Sequence, residues 1–201
     1  MWGDFLLIAA PSGKIYVLDE KQPAASSGEP YSTRQYEGYV WDGIQVSLFA
    51  MGGAGLRFCN GKEVKTLVPG QLYDEISAKG EKAAIDARWI TPAIDASDFK
   101  RRKLITRYGL SAGCSDMSVE ISYRKNDGEW QTLRPYDNKL RKFSYSDLIY
   151  DQFVYQSYPL LTLSGKARIK KTYTTQFMFR NNRLSEDLRL HSFGFDYVQE
   201  N

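Results

Sequence analysis

MSVEISYRKNDGEWQTL, residues 117–133, constrains the fold of this chain more than any other stretch. Met117, Val119, Ile121 and Tyr123 fall on one side of a two-residue repeat, and Ser118, Glu120 and Ser122 fall on the other. That period belongs to an extended strand with one face toward a core. Asn126-Asp127-Gly128 then supplies residues that tolerate positive φ, so the chain turns back into EWQTLRPY as a hairpin.

The same device recurs along the sequence. FLLIAA, PSG and KIYVLD read as strand, turn and strand; Asp42-Gly43 splits GYVWDGIQVSLFAM; and Asn60-Gly61 splits GLRFCNGKEVKTL. Between these hairpins EKQPAASSGEP, residues 20–30, has loop composition. In LVPGQLYDEISAKGEKAAID, Leu72, Ile76 and Lys79 are spaced for a helix of about two turns, with an irregular linker as the alternative. A module boundary is placed near residue 85. Farther on, SYPLLTLSGKARIKKTYTTQFMFR reads as two strands around Ser164-Gly165, with Tyr173, Phe177 and Phe179 of one parity in the second. DLRLHSFGFDYV changes register between Leu188, Leu190 and Phe193, Phe195, Tyr197, as a bulge would. The expected fold is all-β: an antiparallel β-sandwich over 86–201, preceded by a smaller β-hairpin module over 1–85.

Composition agrees with a packed β chain. Its 14 Tyr and 10 Phe suit pleated, half-buried surfaces. The balance of 27 basic against 24 acidic residues leaves +3, too little for a protein that coats nucleic acid, so any polyanion contact must be local. Cys59 and Cys114 are the only cysteines, read as two buried thiols in a reducing compartment, with a single disulfide as the alternative. MWGDFLLIAAPSGKIYVLDE has no basic lead, and no run reaches about 18 apolar residues, so neither a signal peptide nor a membrane span is expected and the chain reads as soluble.

Catalytic constellations are hard to assemble from these residues. His191 is the one histidine and lies in the last strand, whereas a triad or zinc site needs more partners. Gly52, Gly53 and Gly55 suggest a phosphate loop, but strand-like LRFCN follows where a helix should open, so a turn or close backbone packing is preferred. Asp95, Asp98, Asp116 and Asp127 form no alternating calcium loop, and Asp116 and Asp127 read as turn formers. The expectation is no catalytic residue, no metal and no cofactor.

ARWITPAIDASDFKRRKLI, residues 87–105, poses the remaining question. Trp89 and Ile90 end a strand, Thr91-Pro92 breaks its ladder, and Ile94 restarts an extended piece. Lys100, Arg101, Arg102 and Lys103 then lead into a strand in which Leu104, Thr106 and Tyr108 alternate with Ile105 and Arg107. Strand geometry sends four such residues to both faces. A solvated strand entrance ranks first, contact with a protein partner second, and contact with DNA phosphate third.

A family resemblance joins these segments. Gly13, Ile15, Tyr16, Leu18 and Asp19, then Thr91, Pro92, Ile94, Asp95, Arg101 and Arg102, then Val119, Gly128 and Trp130 make the chain similar to the carboxy-terminal part of tailed-phage tail-nozzle and packaged-DNA-stabilisation proteins. In those proteins a GkIYeLD-like segment closes a β-propeller and a TP.iD-like segment opens a β-sandwich. Residues 1–85 hold strands for one or two propeller-like blades, whereas a propeller needs roughly four or more. The resemblance therefore implies either a shortened relative or a module completed by neighbouring subunits in a ring.

It further implies a non-enzymatic virion component of the tail or head–tail junction, assembled in the host cytoplasm, whose partners are copies of itself and adjacent tail proteins. Loops 20–38 and 134–157 would make contacts. The alternative is a carbohydrate-binding β-sandwich of a tail fibre or secreted enzyme, with Trp41, Trp89 or Trp130 as stacking platforms. A lytic glycoside hydrolase using an Asp or Glu is a further one.

Overall fold

A computed structural model describes residues 5–23, 36–52, 55–68, 70–75, 80–96, 100–113, 117–135, 139–140, 160–186 and 189–200. Every regular element among them is a strand, all ladders are antiparallel, and none of the sheets closes on itself. Among the described residues no helix is long and apolar enough to cross a membrane. The chain divides into two compact units, Met1–Gln71 and Leu72–Asn201, a division that falls ahead of residue 85.

In the first unit, β1 (Phe5–Ala10), β2 (Lys14–Pro23) and β3 (Tyr36–Asp42) form a three-stranded sheet in chain order. Its first turn works as PSG predicts: Gly13 takes φ +78° and donates its N–H to Ala10 O at 3.1 Å. A second sheet, also in chain order, holds β4 (Leu48–Gly52), β5 (Gly55–Cys59) and β6 (Val64–Leu67). The Asn60-Gly61 hairpin is present, and Asn60 Oδ1 accepts the N–H groups of Lys62 and Glu63 at 3.0 and 2.9 Å. Asp42-Gly43 does not make one. Gly43 has φ +76°, yet Ile44 N–H donates to Gly13 O at 3.0 Å, and the chain leaves for the other sheet. A turn dipeptide fixes a bend, while the partner strand is chosen by packing.

The second unit begins with β7 (Asp74–Glu75) paired to β8 (Lys82–Ala83), so Asp74 and Glu75 lie on a short ladder and not on a helix. Then follow β9 (Ala87–Ile90), β10 (Lys103–Gly113), β11 (Met117–Ser118), β12 (Glu120–Lys125), β13 (Gln131–Arg134), β14 (Lys139–Leu140), β15 (Leu160–Thr172), β16 (Thr175–Asn181) and β17 (Leu190–Gln199). One sheet runs β13-β12-β16-β9, another β15-β10-β17, and β11 pairs with β14. A single core draws Ile121, Phe177 and Phe179 from the first of these sheets and Ile105, Leu110 and Ile169 from the second. Phe193 of β17 meets Phe177 and Phe179 with ring centroids 4.6 and 4.9 Å apart, so aromatic contacts join the sheets directly.

Several details of register follow from this core. Ser164-Gly165 is no turn: β15 runs straight through it, and the reversal comes at Tyr173-Thr174. Gly165 is there because the Tyr108 ring of the paired strand lies across it; a Cβ at 165 would fall 2.5 Å from the ring. The alternation expected after Lys103 also breaks, since Ile105 and Tyr108 are both buried. A register shift between Ile105 and Arg107 inserts an extra residue and turns both inward. The bulge expected in the last strand is present, with Ser111 opposite Ser192 but Ala112 opposite Leu190.

Ser118 and Ser122 are buried although they sit on the polar side of their run. Glu186 accepts Ser118 N–H at 2.6 Å, and Asn181 Nδ2 donates to Ser118 O at 2.6 Å, so burial leaves these groups satisfied. At the hairpin after β12, Asn126 and Asp127 have φ +50° and +56°, as the Asn-Asp-Gly signal predicts. Gly165→Ala is expected to push the Tyr108 ring out of the core and lower unfolding free energy by about 1–3 kcal/mol in urea melts.

Candidate interaction surfaces

The basic run is tied into the fold. Lys103 is 3% exposed, and its ammonium donates to Arg101 O at 3.2 Å and Tyr173 O at 3.4 Å. Arg102 Nε donates to the Tyr173 hydroxyl at 3.0 Å, and Arg101 Nη1 donates to Gln199 Oε1 at 3.0 Å. Tyr173 lies in the β15–β16 turn, whose N–H groups at 173 and 174 donate to Asn126 Oδ1 at 2.7 and 3.2 Å. Glu200 closes the same end, donating its N–H to Arg102 O at 2.8 Å and accepting Lys171 N–H at 3.0 Å. Residues 101–103 thus anchor the start of β10 to the β15–β16 turn and to the end of β17.

A second charged cluster lies at the edge strand β9. Arg88 and Arg180 are directly opposed across the β9–β16 ladder, which by itself is repulsive. Asp86 sits between them: it accepts Arg180 Nε at 2.7 Å and Arg88 Nε at 3.0 Å, with Arg88 Nη2 on the same oxygen. The Arg180 hydrogen bond, then that of Arg88, lowers the Asp86 pKa from 3.8 to about 2.

On the outward face of β15-β10-β17, two rows of small or charged residues cross the sheet. Gly109 faces Gly194 and Ser164, and Arg107 faces Lys166 and Asp196. A Cβ at Gly109 or Gly194 would meet open space. The result is an open trough of about 680 Å³ lined by Arg107, Lys166, Asp196 and Ser164 over a floor of glycines with Tyr108 and Phe195. Nothing in the sequence pattern singles this face out, because its members come from three strands.

An apolar surface occurs on β1-β2-β3. Ile15 and Val17 are buried on one side, while Leu6 (36%), Ile8 (48%), Tyr16 (42%) and Val40 (52%) are exposed on the other. Both faces of this sheet are therefore apolar.

Other residues singled out by sequence are dispersed. His191 is exposed beside the β17 bulge. Gly52 and Gly55 end β4 and begin β5, and a Cβ at Gly55 would lie 2.9 Å from Leu67 O, so close backbone packing explains it; Gly53 lies outside the described residues. Asp127 is a turn residue, Asp95 is half-buried, and Asp98 and Asp116 lie outside the described residues. Among the described residues no group of three or more His, Cys, Asp or Glu could hold a metal ion. Cys59 is a half-buried thiol whose Sγ accepts Gly61 N–H at 3.3 Å, while Cys114 is outside the described residues. So is most of loops 20–38 and 134–157. Trp41 and Trp130 are half-buried, and Trp130 lies under the Arg124 guanidinium. Trp89 is 49% exposed and stacks on Phe179 with centroids 5.3 Å apart.

No family model, curated protein or solved structure matches this chain.

Two outcomes follow from these geometries. Lys103→Ala leaves the carbonyls of Arg101 and Tyr173 short of a donor, and is expected to cost about 1–3 kcal/mol in denaturant unfolding. Asp86 is held below its unfolded value, so its contribution is present above about pH 4 and is lost as pH falls through about 2. The pair is partly exposed, so the effect is of order 1 kcal/mol or less. Asp86→Asn should remove this acid-dependent component from stability measured between pH 5 and pH 2.

Proposed function

We propose that the chain is a non-enzymatic structural subunit of a tailed-phage virion, at the tail or head–tail junction, that works by burying sheet surface against copies of itself and adjacent tail proteins. On this reading the second unit is an antiparallel β-sandwich. The two three-stranded sheets of the first unit are propeller-like blades completed by neighbouring subunits in a ring. The observation that carries it is the outward face of β1-β2-β3. An antiparallel sheet exposed on one side ordinarily alternates apolar and polar residues, whereas this one places Leu6, Ile8, Tyr16 and Val40 together on its exposed side. Such contiguous apolar surface marks an interface. The sequence resemblance supplies the setting.

The mechanism is geometric. Strands hold these side chains at fixed spacing, so a neighbour with matching relief buries all of them at once, and a head-to-tail contact repeated around an axis closes a ring.

Trp89 favours one other reading, a carbohydrate-binding module. One face of its indole rests on Phe179 while half of the residue stays exposed, which is how a stacking platform for a sugar ring is built.

Native mass measurement separates these. The assembly reading expects a species at an integral multiple of 23.0 kDa, reduced to the single chain by Ile8→Asp combined with Val40→Asp. A parent protein that stays at one chain mass at micromolar concentration, and binds glycans in a manner lost in Trp89→Ala, would replace it with the carbohydrate reading.

A further inference from the structure

The residues that matter here are Arg107, Lys166, Arg168 and Lys170. On β15, Ala167 and Ile169 point into the core, so Lys166, Arg168 and Lys170 all project from the opposite side, and all three are exposed. Successive members of this row stand about 6–7 Å apart on a rigid strand. Arg107 of β10 is the cross-strand partner of Lys166 and is exposed on the same face.

Two like charges directly opposed on a sheet repel each other. Where the molecule opposes Arg88 to Arg180, it provides Asp86 between them. At Arg107 and Lys166 it provides nothing equivalent. Asp196 is the other cross-strand neighbour of Arg107, yet among the described residues none of the four cationic side chains makes a hydrogen bond or ion pair, with Asp196 or with any other group. Three cations in a row on β15, with Arg107 beside Lys166 and one carboxylate, Asp196, opposite Arg107, leave the strip net positive, and an external polyanion relieves that repulsion.

The surroundings select the kind of polyanion. Protein interfaces have apolar or aromatic centres, whereas nucleic-acid interfaces are polar and strongly positive. Beside these cations the face offers Ser164, Gly109 and Gly194 over an open trough of about 680 Å³; its two aromatic lining residues, Tyr108 and Phe195, are held by the core, Tyr108 buried and Phe195 packed on Phe177, so neither presents an open ring face. Bases have no stacking surface there, which leaves the phosphates. We infer that the outward face of β15 and β10 is a sequence-independent docking surface for a nucleic-acid phosphodiester backbone, contacted by Arg107, Lys166, Arg168 and Lys170. This surface is separate from the apolar face that carries the assembly reading, and it does not use Lys103.

The test is fluorescence anisotropy of a labelled DNA duplex of arbitrary sequence, titrated with the full chain between 50 and 200 mM salt. Four phosphate contacts predict log Kd rising with log salt at a slope of about 3–4. Each single change, Arg107→Gln, Lys166→Gln, Arg168→Gln or Lys170→Gln, should lower that slope by about 1. The quadruple variant should lose binding while keeping the parent circular dichroism. If the quadruple variant does not fold, the slopes of the four single variants decide. The inference is overturned by absence of binding at 50 mM salt, or by single-variant slopes equal to the parent's. Displacement of the duplex by poly-glutamate at equal charge concentration would also overturn it, since that would identify a surface for acidic protein. So would variants that only self-associate more readily, which would assign the cations to edge protection.

Discussion

The contact of Phe193 with Phe177 and Phe179 is what the second unit depends on. These rings come from different sheets, and the two phenylalanines of β16 are wholly buried. Burying each stabilises by roughly 2–3 kcal/mol, and their edge and tilted geometries add specificity. Because the rings must meet, β16, one of two inner strands of its sheet, and β17, an edge strand held by β10, take registers that turn Phe177, Phe179 and Phe193 toward one another. The bulge at Thr106 and that at His191 are local accommodations to this requirement. They let a strand change parity while keeping its aromatic and aliphatic residues inside.

Hydrogen bonds then finish what packing begins. At one end of the unit, Asn126, Tyr173, Lys103 and Glu200 gather the two hairpin turns and the chain's last strand. At another point, Asn181 and Glu186 satisfy the buried start of the Ser118 segment. In both places a polar group inside the fold has a named partner, which is why a lysine in a core-facing position is tolerated.

The strands were legible from the sequence because alternation and turn dipeptides are local signals. Asn126-Asp127-Gly128 and Asn60-Gly61 each act within a few residues, and the structure follows them; MSVEISY is extended as its period says, but Ser118 and Ser122 of its polar side are buried and the chain passes from one ladder to another after Ser118. Signals whose meaning depends on a distant partner were not legible. Gly165 resembles half of a turn until Tyr108 is seen lying over it. Asp42-Gly43 bends the chain, but the choice of next partner is made elsewhere. The basic run looked like a surface feature, yet Lys103 turns inward because carbonyls of residues 101 and 173 converge on it. Conversely, Lys166, Arg168 and Lys170 carry no local signal in KARIKK, since their common orientation is set by the burial of Ala167 and Ile169, and Arg107 joins them only through the ladder.

The Tyr108–Gly165 contact has a historical implication. The phenol ring occupies the volume that any larger residue at 165 would claim, so neither position is free to drift by itself. Descendants of this sequence should keep the aromatic and the glycine as an inherited couple, or exchange both in a single lineage, and the pair offers a diagnostic mark for recognising distant kin whose remaining surface has diverged.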